Sequence, residues 1–452
     1  MGSFSIQKGR DILLKGAAKK EIVTIPLPKR VAVQPPDFNG LSSRLRVKVD
    51  DHVKVGTTIF SDKGVPEIQV ASPASGKVVA VNRGDKRALL SIVIETDGRQ
   101  EAESRPKFPR EKIRTLSKAE ITDVLLKGHL WPVLRRRPFS KVADPHLKPK
   151  SIFVHAMNSE PLAGDVDFIL QGREGEFQAG LDVLKGLTDG DVHLCYAQGA
   201  TSKALTQAAH VQTHMFSGPH PAGNVSTHIH YVDPINKGDL VWYVEAQDVL
   251  RIGSLFLSGV YPTERIVAVT GEGAVHHQVY AKTIVGAPLS SLLGGMTLQQ
   301  MRCLSGSVLS GRDVGTGGYL RFYDSQVTVI PEGGKRELLG WLMPGARKYT
   351  FSRTFLSSFL PQREVSLDSG EHGSHRAIVL NHVYDSLVPL DIMTYFLIKA
   401  VLAGNVEEAE QLGILECDEE DFALCTFACP SKTDVGKIIR DGLALIDKKD
   451  SV

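Results

Sequence analysis

GHLWPVLRRRPFSK, residues 128–141, is the stretch around which the rest of the chain is arranged. It places two large aromatic residues, two prolines and four cations within fourteen positions. Aromatic faces beside fixed cations suit a flat, electron-accepting or anionic ligand, which they bind by stacking and charge-assisted hydrogen bonds. The alternative is a solvated basic loop beside an ordinary strand–helix turn, and composition alone favours that simpler interpretation.

The residues that follow alternate between strand and helix patterns. Strand patterns lie at 151–154 and 191–197, and helix patterns at 175–186, 201–211 and 242–252. This order predicts βαβ units and a parallel sheet, so residues 105–262 are expected to form a Rossmann-like α/β domain. The sequence VHAMNSEP at 154–161 is predicted to leave a strand at the carboxyl edge of that sheet, where ligands bind.

Residues 1–104 are predicted to form a β domain. Short alternating strands fill 45–97, with turns at Asp50-Asp51 and in the ASPASG sequence at 71–76. The spacing resembles the biotinyl- and lipoyl-carrier sandwich, whose modified lysine sits in an Asp-Lys hairpin. Asp62-Lys63 falls near that place, but the gap to Pro73 is too long for presentation to a ligase. We therefore expect a purely structural carrier-like β-sandwich.

The C-terminal half is predicted to contain two units and a connection. Residues 263–335 are interpreted as a small β-grasp-like unit of the SLBB type with one helix near 297–303, residues 336–388 as a β-rich connecting segment, and residues 389–452 as a helical domain. Gly271-Glu272-Gly273 follows a strand but lacks the third glycine and the helix that a dinucleotide site needs. The predicted fold class is α/β multidomain.

Composition and charge narrow the class of protein. The 452 residues are 42% hydrophobic and 23% charged, and the net charge of +2 gives no overall attraction to nucleic acid. Residues 105–150 hold 13 Lys/Arg against 4 Asp/Glu, whereas 407–421 is acidic, which favours docking to partners. No apolar stretch reaches the ~20 residues that span a bilayer. With no signal peptide and five cysteines, we expect a cytoplasmic chain with free thiols.

Histidines are concentrated between 210 and 230. His210 and His214 lie four residues apart on a predicted helix, which is a metal-compatible spacing, and His228 and His230 would share one face of a strand. No carboxylate or cysteine stands at a matching spacing. Hydrogen-bonded structural histidines are therefore favoured over a metal site, and the role of the cluster stays open.

The C-terminal cysteines form a partial iron–sulfur motif. Cys425-x-x-x-Cys429-Pro430 matches the tail of the bacterial cluster pattern, but Phe422 and Glu419 occupy the other two ligand positions. Two thiolates do not hold a cluster unless another chain supplies the rest. We interpret Cys425 and Cys429 as a vestigial cluster motif.

Several stretches together resemble the NqrA family of the Na⁺-translocating NADH:quinone oxidoreductases. The resemblance is carried by Ile6-x-x-Gly9-x-Asp11, ASPASG at 71–76 through RGDKRA at 83–88, RPFSKV at 137–142, GPHPAG at 218–223 with THIH at 227–230, and CDEED at 417–421 with Cys425 to Pro430. These segments span nearly the whole chain.

The family is similar in turn to the RnfC component of the Rnf electron-transport complex and to the flavin-bearing subunit of respiratory complex I. Those relatives carry a glycine-rich flavin loop where this chain has residues 128–135. The resemblance implies that bulky side chains replace the glycines that admit the flavin phosphate. It further implies no cofactor, no metal and no catalytic residue in this chain, with NADH, flavins and iron–sulfur chemistry assigned to partner subunits.

The resemblance implies a peripheral subunit on the cytoplasmic face of the bacterial inner membrane, docked chiefly to a membrane-embedded subunit. The complex couples NADH oxidation and ubiquinone reduction to Na⁺ export, so a quinone is the implied ring ligand. The candidate contacts are Trp131 and Phe139 for stacking, Arg135, Arg137 and Lys141 as donors, and His155 and Glu160 on the opposite wall. The alternatives are an assembly scaffold without a ligand and an autonomous flavin or iron–sulfur oxidoreductase.

Overall fold

The computed structural model describes residues 2–296, 299–333, 339–346, 348–361, 363–379 and 382–450. Within these ranges the chain forms four β-sheets and a helical C-terminal region. This mixed architecture confirms the predicted α/β multidomain fold class.

The first nine strands contribute to all four sheets. They are β1 Gly2–Ser5, β2 Lys19–Thr24, β3 Arg30–Val33, β4 Ser43–Leu45, β5 His52–Val53, β6 Thr58–Asp62, β7 Gln69–Ala71, β8 Gly76–Arg83 and β9 Leu89–Thr96. Strands β3, β9, β8 and β5 form one antiparallel sheet, and β4, β6 and β7 form a second. Phe60, Val78 and Ile94 are buried in a common core, as expected for a carrier-like sandwich.

The next elements build the α/β unit. They are α1 Arg110–Ile113, α2 Lys118–Lys127, β10 Arg135–Arg137, β11 Lys141–Val142, β12 Ser151–Ala156, α3 Val166–Leu170, α4 Glu174–Lys185, β13 Val192–Ala197, α5 Lys203–Thr206, β14 Gln212–Ser217, α6 Val225–Val232, β15 Val241–Glu245 and α7 Ala246–Ser258. The sheet order is β1-β14-β13-β12-β15-β10-β11. Strands β1, β14, β13, β12 and β15 are parallel, and β10 and β11 add an antiparallel edge.

Helices cover both faces of this sheet, which explains the nearly continuous apolar strands. Val154 packs in one core with residues of α4 and α7, and Phe153 packs in another with residues of α6. Helices α4 and α7 approach closely at Gly253. A Cβ at this position would lie 1.9 Å from the Glu176 carbonyl oxygen, so only glycine fits. Helices packed on both faces fix the sheet, and its pairing holds the carboxyl ends of β12 and β15 in register.

Two helix predictions in this unit are wrong in part. The helix predicted at 201–211 is limited to α5, and the residues beyond it lead into β14. The helix predicted at 242–252 divides into β15 and α7. A short, continuous apolar run such as VWYV at 241–244 does not distinguish a buried strand from a buried helix.

The third unit, predicted to be of the SLBB type, contains a mixed sheet. Its elements are β16 Glu264–Thr270, β17 Val279–Ile284, α8 Leu289–Leu292, β18 Met301–Ser305, β19 Arg312–Asp313 and β20 Gln326–Pro331. The sheet order is β19-β18-β20-β16-β17-β2. The helix predicted near 297–303 is wrong at 301–303, which belong to β18, and residues 297 and 298 lie outside the described residues.

The C-terminal region is helical, as predicted. It contains α9 Val383–Leu387, α10 Thr394–Leu402, α11 Val406–Gln411, α12 Ala423–Ala428 and α13 Val435–Asp450. Tyr384, Leu397, Phe422 and Ile439 are buried in its core. Among the helices that the structure describes, none combines the length and apolar character needed to cross a bilayer.

The connection predicted as β-rich over 336–388 differs from that prediction. Its described residues contain 3-10 turns at Gly340–Leu342 and Leu356–Phe359, helix α9, and a single bridge between Val365 and Leu14. The sequence GWLMPG and its neighbours lack the period-two alternation of a strand. The predicted domain boundaries at 104, 262, 335 and 388 remain predictions.

The N-terminal residues tie the units together. After β1 has joined the α/β sheet, the Gly9 N–H donates to the Ser386 carbonyl at 2.9 Å, and Arg10 Nη1 donates to the Phe351 carbonyl at 2.7 Å. Strand β2 then pairs in parallel with β17 of the third unit. One short segment therefore contacts the α/β unit, the SLBB-type unit and the C-terminal region.

Candidate functional site

The candidate site lies at the carboxyl edge of the parallel sheet, where His155 of β12 and Glu245 of β15 are register partners. His155 Nδ1 lies 2.7 Å from Glu245 Oε2, and His155 Nε2 contacts the Gly223 carbonyl oxygen. Burial lowers the pKa of His155, but the Glu245 carboxylate and the Gly223 carbonyl outweigh it and raise the pKa above its ordinary value. This geometry favours the protonated form of the imidazole, which faces a carboxylate.

Arg135 is enclosed by aromatic rings. Its guanidinium carbon lies 4.5 Å from the Tyr243 ring centroid and 4.4 Å from that of Tyr323, and Nη2 donates to Glu245 Oε1 at 3.1 Å. Stacking and an ion pair therefore occupy the guanidinium that the sequence suggested as a donor to a ring ligand.

Arg137 is the most deeply buried of the candidate cations, with 1% of its surface exposed. Nη1 lies 3.0 Å from Asp418 Oδ2, and Nη2 donates to Glu420 Oε1 at 2.9 Å. Ser140 Oγ also donates to Asp418, at 2.5 Å. The basic stretch is thus ion-paired to the acidic C-terminal stretch of the same chain.

Lys141 and Phe139 extend the same contact. Lys141 Nζ lies 2.5 Å from Asp447 Oδ2 on α13. Phe139 is half-buried against the C-terminal core, and its backbone has a φ of 78°. Both side chains therefore contact the helical region, and Lys141 Nζ lies 6.0 Å from the Phe139 ring centroid.

Trp131 occupies a different position from the one that the sequence suggested. Its side chain is 1% exposed, and Nε1 donates to the Ala143 carbonyl at 2.7 Å. Trp242 packs against it edge to face, with ring centroids 5.6 Å apart. In this conformation the indole belongs to the core and offers no open face for a second ring.

Glu160 contacts the third unit. Its Oε1 accepts hydrogen bonds from Ser307 Oγ at 2.7 Å and from Ser310 Oγ at 2.5 Å. Burial raises the pKa of Glu160, although the two hydroxyls oppose that change. Glu160 therefore joins the α/β unit to the SLBB-type unit.

Sequence reasoning missed the carboxylates that complete this edge. Asp421 is buried, whereas the Glu420 side chain is partly exposed. Partial removal from water raises the pKa of both carboxyls, and Arg137 opposes the change. Asp421 Oδ1 also accepts a hydrogen bond from Asn224 Nδ2 at 3.0 Å. The sequence shows a basic and an acidic stretch, but it does not show that the two stretches pair with each other. We call this set of contacts the ionic junction: Arg137, Ser140 and Lys141 with Asp418, Glu420 and Asp447, and Asn224 with Asp421.

Two motifs that carry the family resemblance also meet beside the junction. The His220 N–H donates to Asp11 Oδ1 at 2.9 Å, and the Arg10 N–H donates to the His220 carbonyl at 2.7 Å. Gly9 has a φ of +120°, and a Cβ there would lie 2.1 Å from the His220 oxygen. The glycine is needed because this backbone approach leaves no room for a side chain.

The histidine predictions are wrong in their local structure. His210 lies in a loop and His214 on β14, and both His228 and His230 lie on helix α6. His214 pairs with His193 at 3.1 Å and His230 with Glu416 at 2.7 Å. Across the described residues, no three His, Cys, Asp or Glu side chains are grouped to hold a metal ion.

The C-terminal cysteines are core residues. Cys417, Cys425 and Cys429 are all buried, and Cys429 Sγ accepts a hydrogen bond from Tyr384 Oη at 2.9 Å. Burial raises the pKa of Cys425, whose thiol is therefore neutral at physiological pH. Packing and hydrogen bonding account for these side chains.

The candidate side chains do not surround one cavity. A small crevice lies between the carrier-like sheets and the third unit, and it is lined by Asp37, Phe38, Tyr261, Phe322 and neighbouring residues. None of the residues suggested for ring binding lines it. Arg135 and His155 meet at Glu245, and Arg137 and Lys141 meet the C-terminal region. The polar contacts of Trp131 and Glu160 are to other residues, Ala143 for Trp131 and Ser307 and Ser310 for Glu160.

The fold and the site together define a multidomain α/β protein with a carrier-like sandwich, a Rossmann-like unit and an SLBB-type unit. Internal ion pairs join its Rossmann-like unit to the helical C-terminal region. Family models match its units in the same order. The NqrA N-terminal barrel-sandwich hybrid domain matches residues 4–97, the NqrA second alpha/beta domain matches 116–261, and the NQRA C-terminal domain matches 266–315. The chain belongs to the NqrA family, whose members are components of the Na⁺-translocating NADH-quinone reductase, an oxidoreductase.

Relatives support this assignment along the full length. The NqrA protein of Yersinia pseudotuberculosis serotype O:1b (strain IP 31758) is 41% identical over 99% of this chain and 100% of its own length. That of Serratia proteamaculans (strain 568) is 39% identical with the same coverage. A solved NAD⁺-reducing nickel–iron hydrogenase has a TM-score of 0.39 and 13% identity, over 76% of this chain and 64% of that chain, which is too low to assign a shared fold.

Proposed function

We propose that this chain is a peripheral, cytoplasmic subunit that braces the Na⁺-translocating NADH-quinone reductase and holds no redox cofactor of its own. The observation that carries the proposal is the buried guanidinium of Arg137, which pairs with Asp418 and Glu420. A charge removed from water must be matched by partners, and here the partners belong to the same chain. The basic stretch therefore serves to hold the C-terminal region.

The surrounding contacts support a bracing role. Trp131 is buried and hydrogen-bonded within the core, and Lys141 forms an ion pair with Asp447. The junction fixes the helical region on the α/β unit, so the two present a single surface to other subunits. The reaction that the relatives' name describes would then take place in partner subunits, chiefly a membrane-embedded one.

The test uses a host strain that lacks this chain and carries an affinity tag on another component of the complex. Wild-type chain should co-purify with the tagged component and restore Na⁺-stimulated NADH oxidation, whereas Arg137→Gln should lower both. The matched control is Lys437→Gln, which removes an exposed cation paired with Asp441. If Arg137→Gln assembles and supports activity like wild type, the junction is not needed for bracing.

A second measurement addresses the absence of a redox cofactor. The isolated chain, purified without added flavin or iron, should show no visible absorption beyond that of protein. Stoichiometric FMN or iron would contradict the proposal and support an autonomous oxidoreductase.

Quinone binding at this edge is a second proposal. It is supported by Phe139, which is half-buried beside the Lys141 ammonium and leaves part of its ring accessible. Arg135 and His155 would contribute from the sheet edge and Glu160 from the opposite wall, whereas Trp131 and Arg137 would act by supporting these residues. A quinone carbonyl would accept hydrogen bonds from the cations.

Quinone titration of the isolated chain tests this second proposal. Phe139→Ala should weaken binding, and Phe396→Ala, an exposed aromatic on α10, is the matched control. Equal quinone affinity in Phe139→Ala and wild type would remove Phe139 from the site. No binding in wild type would leave the scaffold as the sole proposal.

A further inference from the structure

The ionic junction contains three carboxyl groups around one buried guanidinium. Arg137 Nη1 lies 3.0 Å from Asp418 Oδ2, and Nη2 lies 2.9 Å from Glu420 Oε1. The Asp421 carboxyl, which is 2% exposed, has two neutral donors instead. Its Oδ1 accepts a hydrogen bond from Asn224 Nδ2 at 3.0 Å, and its Oδ2 accepts one from the Asp418 N–H at 2.8 Å.

Other charged groups around the junction have partners of their own. Arg135 and His155 both bind Glu245. The pairs that surrounding elements contribute are Arg440 with Glu419, Lys141 with Asp447, and His230 with Glu416. Burial raises the pKa of Tyr243, Cys417 and Cys425, so these side chains stay neutral at physiological pH. These contacts leave Arg137 as the main counter-charge of Glu420 and Asp421.

The charges at this edge of the sheet do not balance. Among the described residues that meet here, three cations face four carboxyl groups: Arg135, Arg137 and His155 against Glu245, Asp418, Glu420 and Asp421. An unmatched negative charge held away from water is unfavourable, and a bound proton removes that charge.

The adjacent carboxyls of Glu420 and Asp421 are the groups that can hold this proton. Burial raises the pKa of Asp421. Partial burial and two neighbouring carboxylates raise the pKa of Glu420 to about 8, although Arg137 opposes the change. Interacting carboxyl groups titrate together, so the proton belongs to the pair rather than to either residue.

We propose that the ionic junction takes up one proton on the Glu420–Asp421 pair when the C-terminal region docks on the α/β unit, and that rising pH weakens this docking. The proton comes from solvent and is bound by a carboxylate oxygen. This inference rests on the proposed bracing function and specifies how that function is regulated.

The direction of the effect follows from where the proton is bound more tightly. Away from the junction both carboxyls return to water, where they are ionised at neutral pH. The docked form keeps the proton up to the raised pKa of the pair, which for Glu420 is about 8. The contribution to docking is therefore present at low pH and is lost as pH rises through that value. Alkaline conditions weaken the brace.

The first test measures urea unfolding of the full chain between about pH 6 and about pH 9. A proton bound only by the folded form lowers the folding equilibrium constant by up to about tenfold for each pH unit. Glu420→Gln and Asp421→Asn each remove the excess carboxyl, so their profiles should be flatter than that of wild type by up to this amount. The slope that His155 contributes remains in both variants. The matched control is Asp441→Asn, an exposed carboxyl paired with Lys437, which should keep the wild-type slope.

The second test is infrared difference spectroscopy of wild type across the same pH range. The carbonyl stretch of a protonated carboxylic acid should disappear as pH rises through about 8, and this band should be absent from Glu420→Gln. The wild-type measurement needs no substitution, so it decides the proposal even if a variant does not fold.

Flatter profiles in Glu420→Gln and Asp421→Asn but not in Asp441→Asn support the proposal. Profiles parallel to wild type would mean that the two carboxyls have a structural role alone, and they overturn it. The absence of a band that disappears near that pH also overturns it. Co-purification of Arg137→Gln with the other subunits is scored separately, so a failure of the bracing function is distinguished from a failure of the bound proton.

Discussion

Arg137 Nη2 donates to Glu420 Oε1 across 2.9 Å, although 283 residues separate the two in sequence. Each end is held in place by local structure. Arg137 lies on β10, which pairs with β15, and Glu420 lies in a 3-10 turn that a capping box between Asp418 and Asp421 closes. The contact thus joins two locally fixed structures, which makes it sensitive to a change at either end.

Replacing Arg137 with Gln should destabilise the C-terminal region by about 2 kcal/mol, because it removes a buried cation and leaves the partly exposed carboxylates of Asp418 and Glu420 without their counter-charge. Urea unfolding followed by tryptophan fluorescence measures this loss. The control Lys437→Gln breaks an exposed pair and should cost about 0.5 kcal/mol or less. Equal effects of the two substitutions would mean that the Arg137 pairs contribute no more than surface ion pairs.

Gly9→Ala should destabilise the fold by about 2–3 kcal/mol, since the new Cβ would overlap the His220 carbonyl oxygen at a backbone φ of +120°. Gly98→Ala is the matched control, because Gly98 also has a positive φ of +76° but nothing within 4 Å of a Cβ. Its cost should be about 1 kcal/mol. The difference between the unfolding temperatures of Gly9→Ala and Gly98→Ala measures the effect of the close backbone approach at Gly9. Equal shifts in the two variants would contradict this explanation.

Trp131→Phe should cost about 2 kcal/mol of stability through lost packing and the lost bond to the Ala143 carbonyl. A ring-binding residue would behave differently, because its substitution would lower quinone affinity while leaving stability nearly unchanged. Chemical denaturation and quinone titration of the same variant separate the two roles. Unchanged stability together with weakened quinone binding would indicate that Trp131 binds the ring ligand.

The His155–Glu245 pair should make stability depend on pH. The pKa of His155 is raised in the folded chain, so the stabilising contribution is fully present below the unfolded value near 6.5 and is lost as pH rises through the folded pKa. His155→Gln removes that dependence. The difference in unfolding free energy between wild type and His155→Gln should therefore shrink from about pH 6 upward. A difference that grows with pH would contradict the raised pKa of His155 in the folded chain.

The larger units are predictable from the sequence because their signals are local. Alternating strand and helix patterns indicate the α/β unit, and Ser117 with Glu120 indicates the capping box that begins α2. Local patterns do not predict the secondary structure correctly where a strand and a helix share the same sequence pattern. The run at 241–244 is apolar throughout and leads into a helical pattern, so it suggests a helix although β15 is a buried strand.

The site is harder to predict because its partners are distant in sequence. The basic stretch at 128–141 and the acidic stretch at 407–421 are both evident, but each suggests a surface for another molecule. Only the fold brings Arg137 to Asp418 and Glu420, since helices α9 to α11 return the chain to the edge of the sheet. A local excess of charge does not reveal whether its counter-charge lies in the same chain.

The most direct test of the account is a double-mutant cycle between Arg137 and Asp418, using Arg137→Gln, Asp418→Asn and the double variant. Because the side chains lie 3.0 Å apart and Arg137 is buried, the unfolding free energies should give a coupling of about 1.5 kcal/mol or more. A coupling near zero, with both single variants as stable as wild type, would contradict the claim that the basic stretch holds the C-terminal region of its own chain.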